Sequence, residues 1–251
     1  MGQDVTGLLA GKRAIVTGGG RGLGREICAT FARHGARVAF TYAKSEEGAR
    51  RLCEEIAAGG AEARAFRASV LDADATRATV RAVEEAWGGV DVLVNNAGVS
   101  QNLPMALLEE QDFDHVVDLN LKGAYLTARE ALRSMIRKKR GVVLNIGSLA
   151  GVRMIDAPIH YCASKAGLKG MTEAMAKEVA RHGVRVLCVA PGLLEDGVGR
   201  NLPEHRLADY LKHCALGRVG TFREVAELAA FLVSDRNGYM TGATVVVDGG
   251  V

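Results

Sequence analysis

A phenol and an ammonium group stand four positions apart in Tyr161-Cys162-Ala163-Ser164-Lys165, a segment that reads as helix. Positions i and i+4 of a helix share one face, with Cβ atoms ~5–6 Å apart. A phenol is a poor acid or base near neutrality because its ordinary pKa is ~10. A fixed cation changes that. Two unit charges ~4 Å apart at an effective dielectric of ~20 interact by about 4 kcal/mol, roughly three pKa units in favour of the phenolate. The expected chemistry is proton transfer between Tyr161 and an oxygen in mid-reaction, with Lys165 lowering the phenol pKa. Tyr and Lys also meet at this spacing on helices with no such role, so the pair gains meaning from its company. Ser148 stands 161 − 148 = 13 residues earlier, directly after an apolar run, far enough for a loop to bring its hydroxyl beside the phenol. Serine there also serves as a helix cap.

Three further segments suit a dinucleotide. Thr17-Gly18-Gly19-Gly20-Arg21-Gly22-Leu23-Gly24 follows an apolar run and opens a helical one. Glycines in such a turn let the backbone approach phosphates at the positive end of a helix. The spacing is TGxxxGxG, carried by Gly18, Gly22 and Gly24. The second strand ends in Thr41-Tyr42-Ala43-Lys44, with no acidic side chain to bond a ribose 2′-hydroxyl and repel a 2′-phosphate. Lys44 and Arg21 can hold a 2′-phosphate by charge-assisted bonds, which favours NADP over NAD. Val94-Asn95-Asn96-Ala97-Gly98 leaves the fourth strand on the rim where ligands lie in such sheets, and its small residues let a cofactor lie close.

The elements that must position these groups follow from periodicity. Apolar runs predict strands over 12–17, 37–42, 62–70, 90–94, 141–146, 184–189 and 244–247. Helical spacing fills the gaps: 23–34, 45–58, a helix capped by Asp72 or Asp74 and running to Trp87, a long helix over 112–139, and one starting near Thr221. The helix bearing Tyr161 and Lys165 runs to about His182, with Leu168, Met171, Met175 and Val179 as its apolar face. Strands that read as continuous apolar runs between helices imply a parallel sheet covered on both faces. The alternation is unbroken, which predicts one domain over 1–251. The stretch 191–216, with two prolines and three glycines, reads as a mobile flap over the substrate.

Composition narrows the class. Of the 251 residues 48% are apolar, ample for a buried core. Lys plus Arg exceed Asp plus Glu by 32 − 29 = 3, too slight a bias to argue for nucleic acid. The five widely spaced cysteines suit reduced thiols in a cytoplasmic protein, and no Cys/His cluster predicts a metal site. No apolar stretch reaches the 18 residues a membrane span needs.

Together, TGGGRGLG at 17–24, NNAG at 95–98, Asn120, Ser148, YCASK at 161–165 and Pro191-Gly192 resemble the short-chain dehydrogenase/reductase family, in order and over essentially the whole chain. The resemblance implies a Rossmann-type doubly wound α/β fold with a seven-stranded parallel sheet in the order 3-2-1-4-5-6-7. It also implies a catalytic tetrad of Asn120, Ser148, Tyr161 and Lys165, in which Asn120 positions a water that relays protons to Lys165. Cofactor contacts are expected from Gly18, Gly20, Arg21, Gly22, Leu23, Lys44, Ser69, Val70, Asn95, Ala97, Gly98, Tyr161, Lys165, Pro191, Gly192 and Leu194. Two positions depart from the family pattern: Ser69, where Asp is frequent, and Asp196, where Thr commonly helps hold the carboxamide.

Within the family, AGVSQNLPMALL after strand four, LNLKGAYLTARE around Asn120 and the TGATVVVDGG ending are most like β-ketoacyl carrier-protein reductases. That likeness implies an NADPH-dependent ketoreductase acting on a carrier-bound or other thioester substrate. A close variant reduces a free ketone or oxidises a secondary alcohol, and a further alternative is a nucleotide sensor without turnover. The cations Arg129, Arg133, Arg137, Lys138, Lys139 and Arg140, with Lys177, are a candidate dock for an acidic carrier protein. Cations at a helix C-terminus also complement its dipole. His160 and Cys162 are expected to pack in the core or at its rim, since helical geometry turns them about 100° from Tyr161. Small residues Ala163, Ala166, Gly167 and Gly170 leave room for a second helix, and with the resemblance they predict a homodimer or homotetramer through the 112–139 and 159–182 helices.

Overall fold

A computed structural model describes residues 7–196 and 204–251. Seven parallel strands form one sheet: β1 (Arg13–Val16), β2 (Arg37–Tyr42), β3 (Ala63–Arg67), β4 (Val92–Asn95), β5 (Gly141–Ile146), β6 (Val184–Pro191) and β7 (Thr244–Val247). Their order is β3-β2-β1-β4-β5-β6-β7, the topology expected. It reverses direction between β1 and β4, where a doubly wound sheet opens a crevice at its carboxyl ends.

The helices are α1 (Gly22–Arg33), α2 (Glu46–Ala58), α3 (Ala73–Trp87), α4 (Glu110–Val117), α5 (Gly123–Lys138), α6 (Ile159–Val179), α7 (Glu204–His213) and α8 (Phe222–Val233). One buried cluster joins α1, α2 and α8 to one sheet face through Val16, Phe40, Val94 and Leu144. A second joins α3, α5 and α6 to the other face through Ile15, Leu93, Val143 and Val186. Central strands are thus buried on both faces, which is why they read as unbroken apolar runs. The single charge in the fourth strand region, Asp91, is 6% exposed. Arg13 Nε and Nη2 meet its two carboxylate oxygens at 2.6 and 2.8 Å, and Lys138 Nζ meets it at 2.6 Å.

Two local signals match their helices. Asp72 Oδ1 caps α3 by accepting from Asp74 N and Ala75 N, at 3.0 and 2.9 Å. Thr221 and Glu224 form a reciprocal capping box at α8. Two expectations need correction. The long helix expected over 112–139 is interrupted by a π turn, Asp118–Lys122, which holds Asn120. The buried stripe of α6 is more polar than predicted: Ser164, Lys165 and Thr172 are buried with Leu168 and Val179, whereas Met171 and Met175 are only half-buried. Within the stretch 191–216 lies α7, and 197–203 are outside the described residues.

Candidate active site

The carboxyl ends of β1 to β6 bring the sequence-predicted residues to one rim. Gly18 and Gly22, at φ 69° and 55°, adopt the left-handed conformation that glycine tolerates. A Cβ on Gly24 would lie 2.3 Å from Gly18 O and 2.4 Å from Asn96 Nδ2, so the turn closes only on a bare backbone. Asn96 Nδ2 donates to Thr17 O (2.9 Å) and Gly18 O (3.3 Å). The Thr17 hydroxyl accepts from Asn96 N and Ala97 N, both at 3.0 Å. Thr17 and Asn96 therefore stitch the glycine turn to the 95–98 turn. Their signal in the sequence is only their place beside the glycines.

This cradle fits a dinucleotide phosphate. Leu23 stands in the first turn of α1, which carries no acidic residue, and Arg21 at its head is exposed. Gly20 packs against Ser45 and Tyr42, which brings the exposed Lys44 segment alongside the turn. Ser69 is exposed, its hydroxyl accepting from Leu71 N at 3.2 Å, and Val70 packs on Gly123 at the head of α5. At the far end, Gly192 N donates to Val247 O (2.9 Å), Leu193 N donates to the Tyr210 hydroxyl (2.9 Å), and Leu194 bridges to Gly220. Pro191 ends β6 there.

Two of the expected tetrad residues meet at Gly98, where a Cβ would lie 3.0 Å from Asn120 Oδ1 and 3.7 Å from Lys165 Nζ. Asn120 is 1% exposed and both ends of its side-chain amide are hydrogen-bonded. Its Oδ1 accepts from Val99 N (2.8 Å), while Nδ2 donates to Val99 O (3.0 Å) and Ser164 Oγ (3.0 Å). Ser164 Oγ donates in turn to Tyr161 O (2.8 Å). Ser164 is the tie between the π turn and α6, a role its place in YCASK does not reveal. Gly151, after Ser148, lies flat on α6: a Cβ there would be 2.5 Å from the Lys165 carbonyl carbon. That contact holds the Ser148 loop against the helix.

Lys165 is 6% exposed, and its ammonium donates to Ile146 O at 2.8 Å. It stands 5.7 Å from the centroid of the Tyr161 ring. Burial pushes its pKa down to about 8. The phenol differs from expectation, being held above its ordinary value rather than below it. Burial raises it, and the neighbouring Ser148 hydroxyl pulls the other way. The reason is that the ammonium is directed at a backbone carbonyl, so desolvation of the phenolate outweighs the cation.

Two other sets of expected residues have partners within the chain. The Asn95 side chain faces the interior, donating to Ala124 O (3.3 Å) and Asn145 Oδ1 (2.9 Å), so only its backbone is available to a ligand. The expected docking cations are mostly paired: Arg129 and Arg133 with the buried Glu130 at 3.1 and 2.8 Å, and Arg137 with Glu84 at 2.5 Å. Lys177 is exposed on α6. His160 is fully buried, as expected of a packing residue, but both its ring nitrogens lack partners. Among the described residues no cluster of His, Cys, Asp or Glu is placed to hold a metal, and no helix is long and apolar enough to cross a membrane.

Comparisons with known proteins agree with this geometry. A family model described as Enoyl-(Acyl carrier protein) reductase matches residues 18–251. The chain is 38% identical over 240 residues to the 3-oxoacyl-[acyl-carrier-protein] reductase FabG of Staphylococcus aureus, covering 96% of this chain and 98% of the relative. It is 35% identical over 243 residues to FabG of Vibrio cholerae, covering 97% and 98%. Among solved structures, a short chain dehydrogenase from Burkholderia cenocepacia in complex with NADP superposes with a TM-score of 0.90 at 35% identity, covering 96% of this chain and 98% of the other. With the sheet order and the glycine turn, these matches establish that the chain belongs to the short-chain dehydrogenase/reductase family of oxidoreductases.

Proposed function

We propose that the chain is an NADPH-dependent ketoreductase acting on the β-keto group of a thioester-bound acyl chain, with Tyr161 as general acid. The observation that supports this reading is the Ser148 hydroxyl beside the Tyr161 phenol, with the buried Lys165 ammonium 5.7 Å from the centre of the Tyr161 ring. The relatives named for 3-oxoacyl-carrier-protein reduction support the substrate class. The neighbour named with NADP and the exposed Arg21 and Lys44 support the cofactor.

The cofactor, when bound, supplies a hydride. Gly18, Gly20, Gly22 and Leu23 would hold its pyrophosphate, and Arg21 and Lys44 its 2′-phosphate. Ser69, Val70, the Asn95 backbone, Ala97 and Gly98 would line the adenosine and ribose, with Pro191, Gly192 and Leu194 beside the nicotinamide. As the ketone oxygen gains charge, the Ser148 hydroxyl stabilises it and Tyr161 gives up its proton. The raised phenol pKa keeps that proton in place until it is needed. Lys165 then acts on the product side, where its cation steadies the phenolate left behind. The Asn120 side chain orders the turn around Gly98 and Val99, and Asn120 would position the water that relays protons to Lys165.

An acidic carrier protein would approach Arg129, Arg133, Arg137 and Lys177, with Glu130 and Glu84 offsetting part of that charge. A second copy of the chain, in a homodimer or homotetramer, would cover α4 and α5, where Phe113 and Tyr125 are 39% and 48% exposed. The segment 191–216 is proposed as the substrate flap of a single domain. The test is NADPH oxidation, followed by absorbance, with a short β-ketoacyl thioester on pantetheine, the same acyl group on carrier protein, and a free ketone. Faster turnover of the thioesters supports the reading. Preference for the free ketone would shift it to a small-molecule dehydrogenase, and tight NADPH binding without turnover on any of the three would refute it.

A further inference from the structure

A row of buried polar side chains runs beneath the catalytic rim. Asn95 and Asn145 are register partners on β4 and β5, and the same register continues to Cys188 on β6 and Thr244 on β7. Asn95 is 3% exposed, and Asn145 and Thr172 are 0% exposed. Asn95 Nδ2 donates to Ala124 O in the first turn of α5 (3.3 Å) and to Asn145 Oδ1 (2.9 Å). Asn145 Nδ2 donates to Thr172 Oγ1 (2.9 Å), and that hydroxyl donates to Leu168 O (2.8 Å). An unbroken chain of hydrogen bonds thus joins α5 to α6 through the two central strands.

Its place relates it to the site. Ile146, the residue after Asn145, offers the carbonyl that accepts from Lys165 Nζ at 2.8 Å. Thr172 lies two turns beyond Lys165 on the same helical face. Strand β5 therefore grips α6 at two points, Ile146 O to Lys165 and Asn145 to Thr172. One grip leaves a helix free to roll about its axis; two fix both its height and its roll. At the other end, Ala124 is the second residue after the turn that carries Asn120. Apolar side chains would fill these positions without the desolvation cost of Asn95 Oδ1, which is buried without a partner.

We infer that Asn95, Asn145 and Thr172 are positioning residues whose hydrogen-bonded row sets the roll of α6 against β5, and so places the Lys165 ammonium beneath Tyr161. Their use in hydride transfer rests on the reductase reading; the placement of the ammonium does not.

Two readouts separate these. The first is an NMR titration of the ligand-free full chain labelled with 13Cε-lysine, in which Lys165 is expected to stand apart from other lysines with a midpoint of about 8. The second is NADPH affinity by fluorescence, with kcat/KM on the β-ketoacyl thioester beside it. Thr172→Val keeps shape and breaks the row; Asn145→Val breaks it from the strand side with a residue suited to strands. Both are expected to move the midpoint up by about one pH unit or more as the ammonium gains solvent. NADPH affinity should weaken and kcat/KM fall by about ten- to hundredfold through misplacement of the reacting groups. Thr172→Ser, which keeps the hydroxyl, should stay near wild type in all three. If the Val variants lower only Tm, with midpoint and affinity within experimental error of wild type, the row is structural and the inference fails. If the midpoint and affinity shift as expected while wild type reduces no keto substrate, the reductase reading fails and the positioning role stands.

Discussion

Replacing Lys165 by Met should abolish function yet make the protein more stable. The lysine is 6% exposed and its pKa is pushed down to about 8 from an ordinary 10.5. At ~1.4 kcal/mol per pH unit, that gap corresponds to about 3 kcal/mol spent keeping the ammonium charged in the interior at neutral pH. Lys165→Met removes that cost and fills the same volume. It also strips Ile146 O of its donor, worth about 1–2 kcal/mol. The expected net gain is about 1–2 kcal/mol, or roughly 2–8 °C in Tm for a chain of this size. The sign is fixed by linkage: a base whose folded pKa is lowered weakens the fold fully below that pKa, and the penalty disappears as pH rises through the unfolded value. The advantage of the variant should therefore be largest below pH 8, shrink between 8 and 10.5, and reverse above, where only the lost hydrogen bond remains. Thermal melts of both proteins from pH 6 to 10.5 give the assay. A variant less stable at pH 7, or a difference flat with pH, would refute the idea that Lys165 is held charged against burial.

Three other perturbations address different parts of the molecule. Gly24→Ala would place a Cβ 2.3 Å from Gly18 O, so it should distort the turn and weaken NADPH binding, read by fluorescence titration, more than it lowers Tm. Asp91→Asn should cost about 3 kcal/mol in denaturant melts, because it leaves Arg13 and Lys138 without their partner. Arg13 and Lys138 hold the Asp91 carboxyl well below the usual range, so its contribution is present above about pH 4 and lost on further acidification; wild type and variant should converge there. Lys44→Glu should reverse the cofactor preference, raising the NADPH Kd at least tenfold while sparing NADH, on the ground that a carboxylate repels a 2′-phosphate and accepts from a 2′-hydroxyl.

What could be read from the sequence was whatever repeats or punctuates. Buried parallel strands announce themselves as apolar runs, and sheet order followed from the family resemblance that the motifs carried. Tyr161 and Lys165 declare a shared face by spacing alone. The π turn at Asn120 was not legible, because one extra residue in a helical turn hardly disturbs the apolar periodicity of a long helix. The paired state of Arg129, Arg133 and Arg137 depends on Glu130 and on Glu84 from a helix some fifty residues earlier, and charge counts along the chain do not reveal partners. Asn95 was expected as a ligand contact; only register shows that it faces Asn145 on the neighbouring strand. The Tyr161 pKa was misjudged because spacing gives the nearness of a cation, whereas the enclosure of the phenol is a tertiary property.

The central claim is that Tyr161 delivers the proton that accompanies hydride transfer. Single-turnover mixing of NADPH-loaded wild type and Tyr161→Phe with a β-ketoacyl thioester, following nicotinamide absorbance, tests it directly. The expected result is a rate lower by about 10²–10⁴-fold in the variant, with NADPH affinity unchanged. A variant that oxidises NADPH at a rate close to wild type would contradict it.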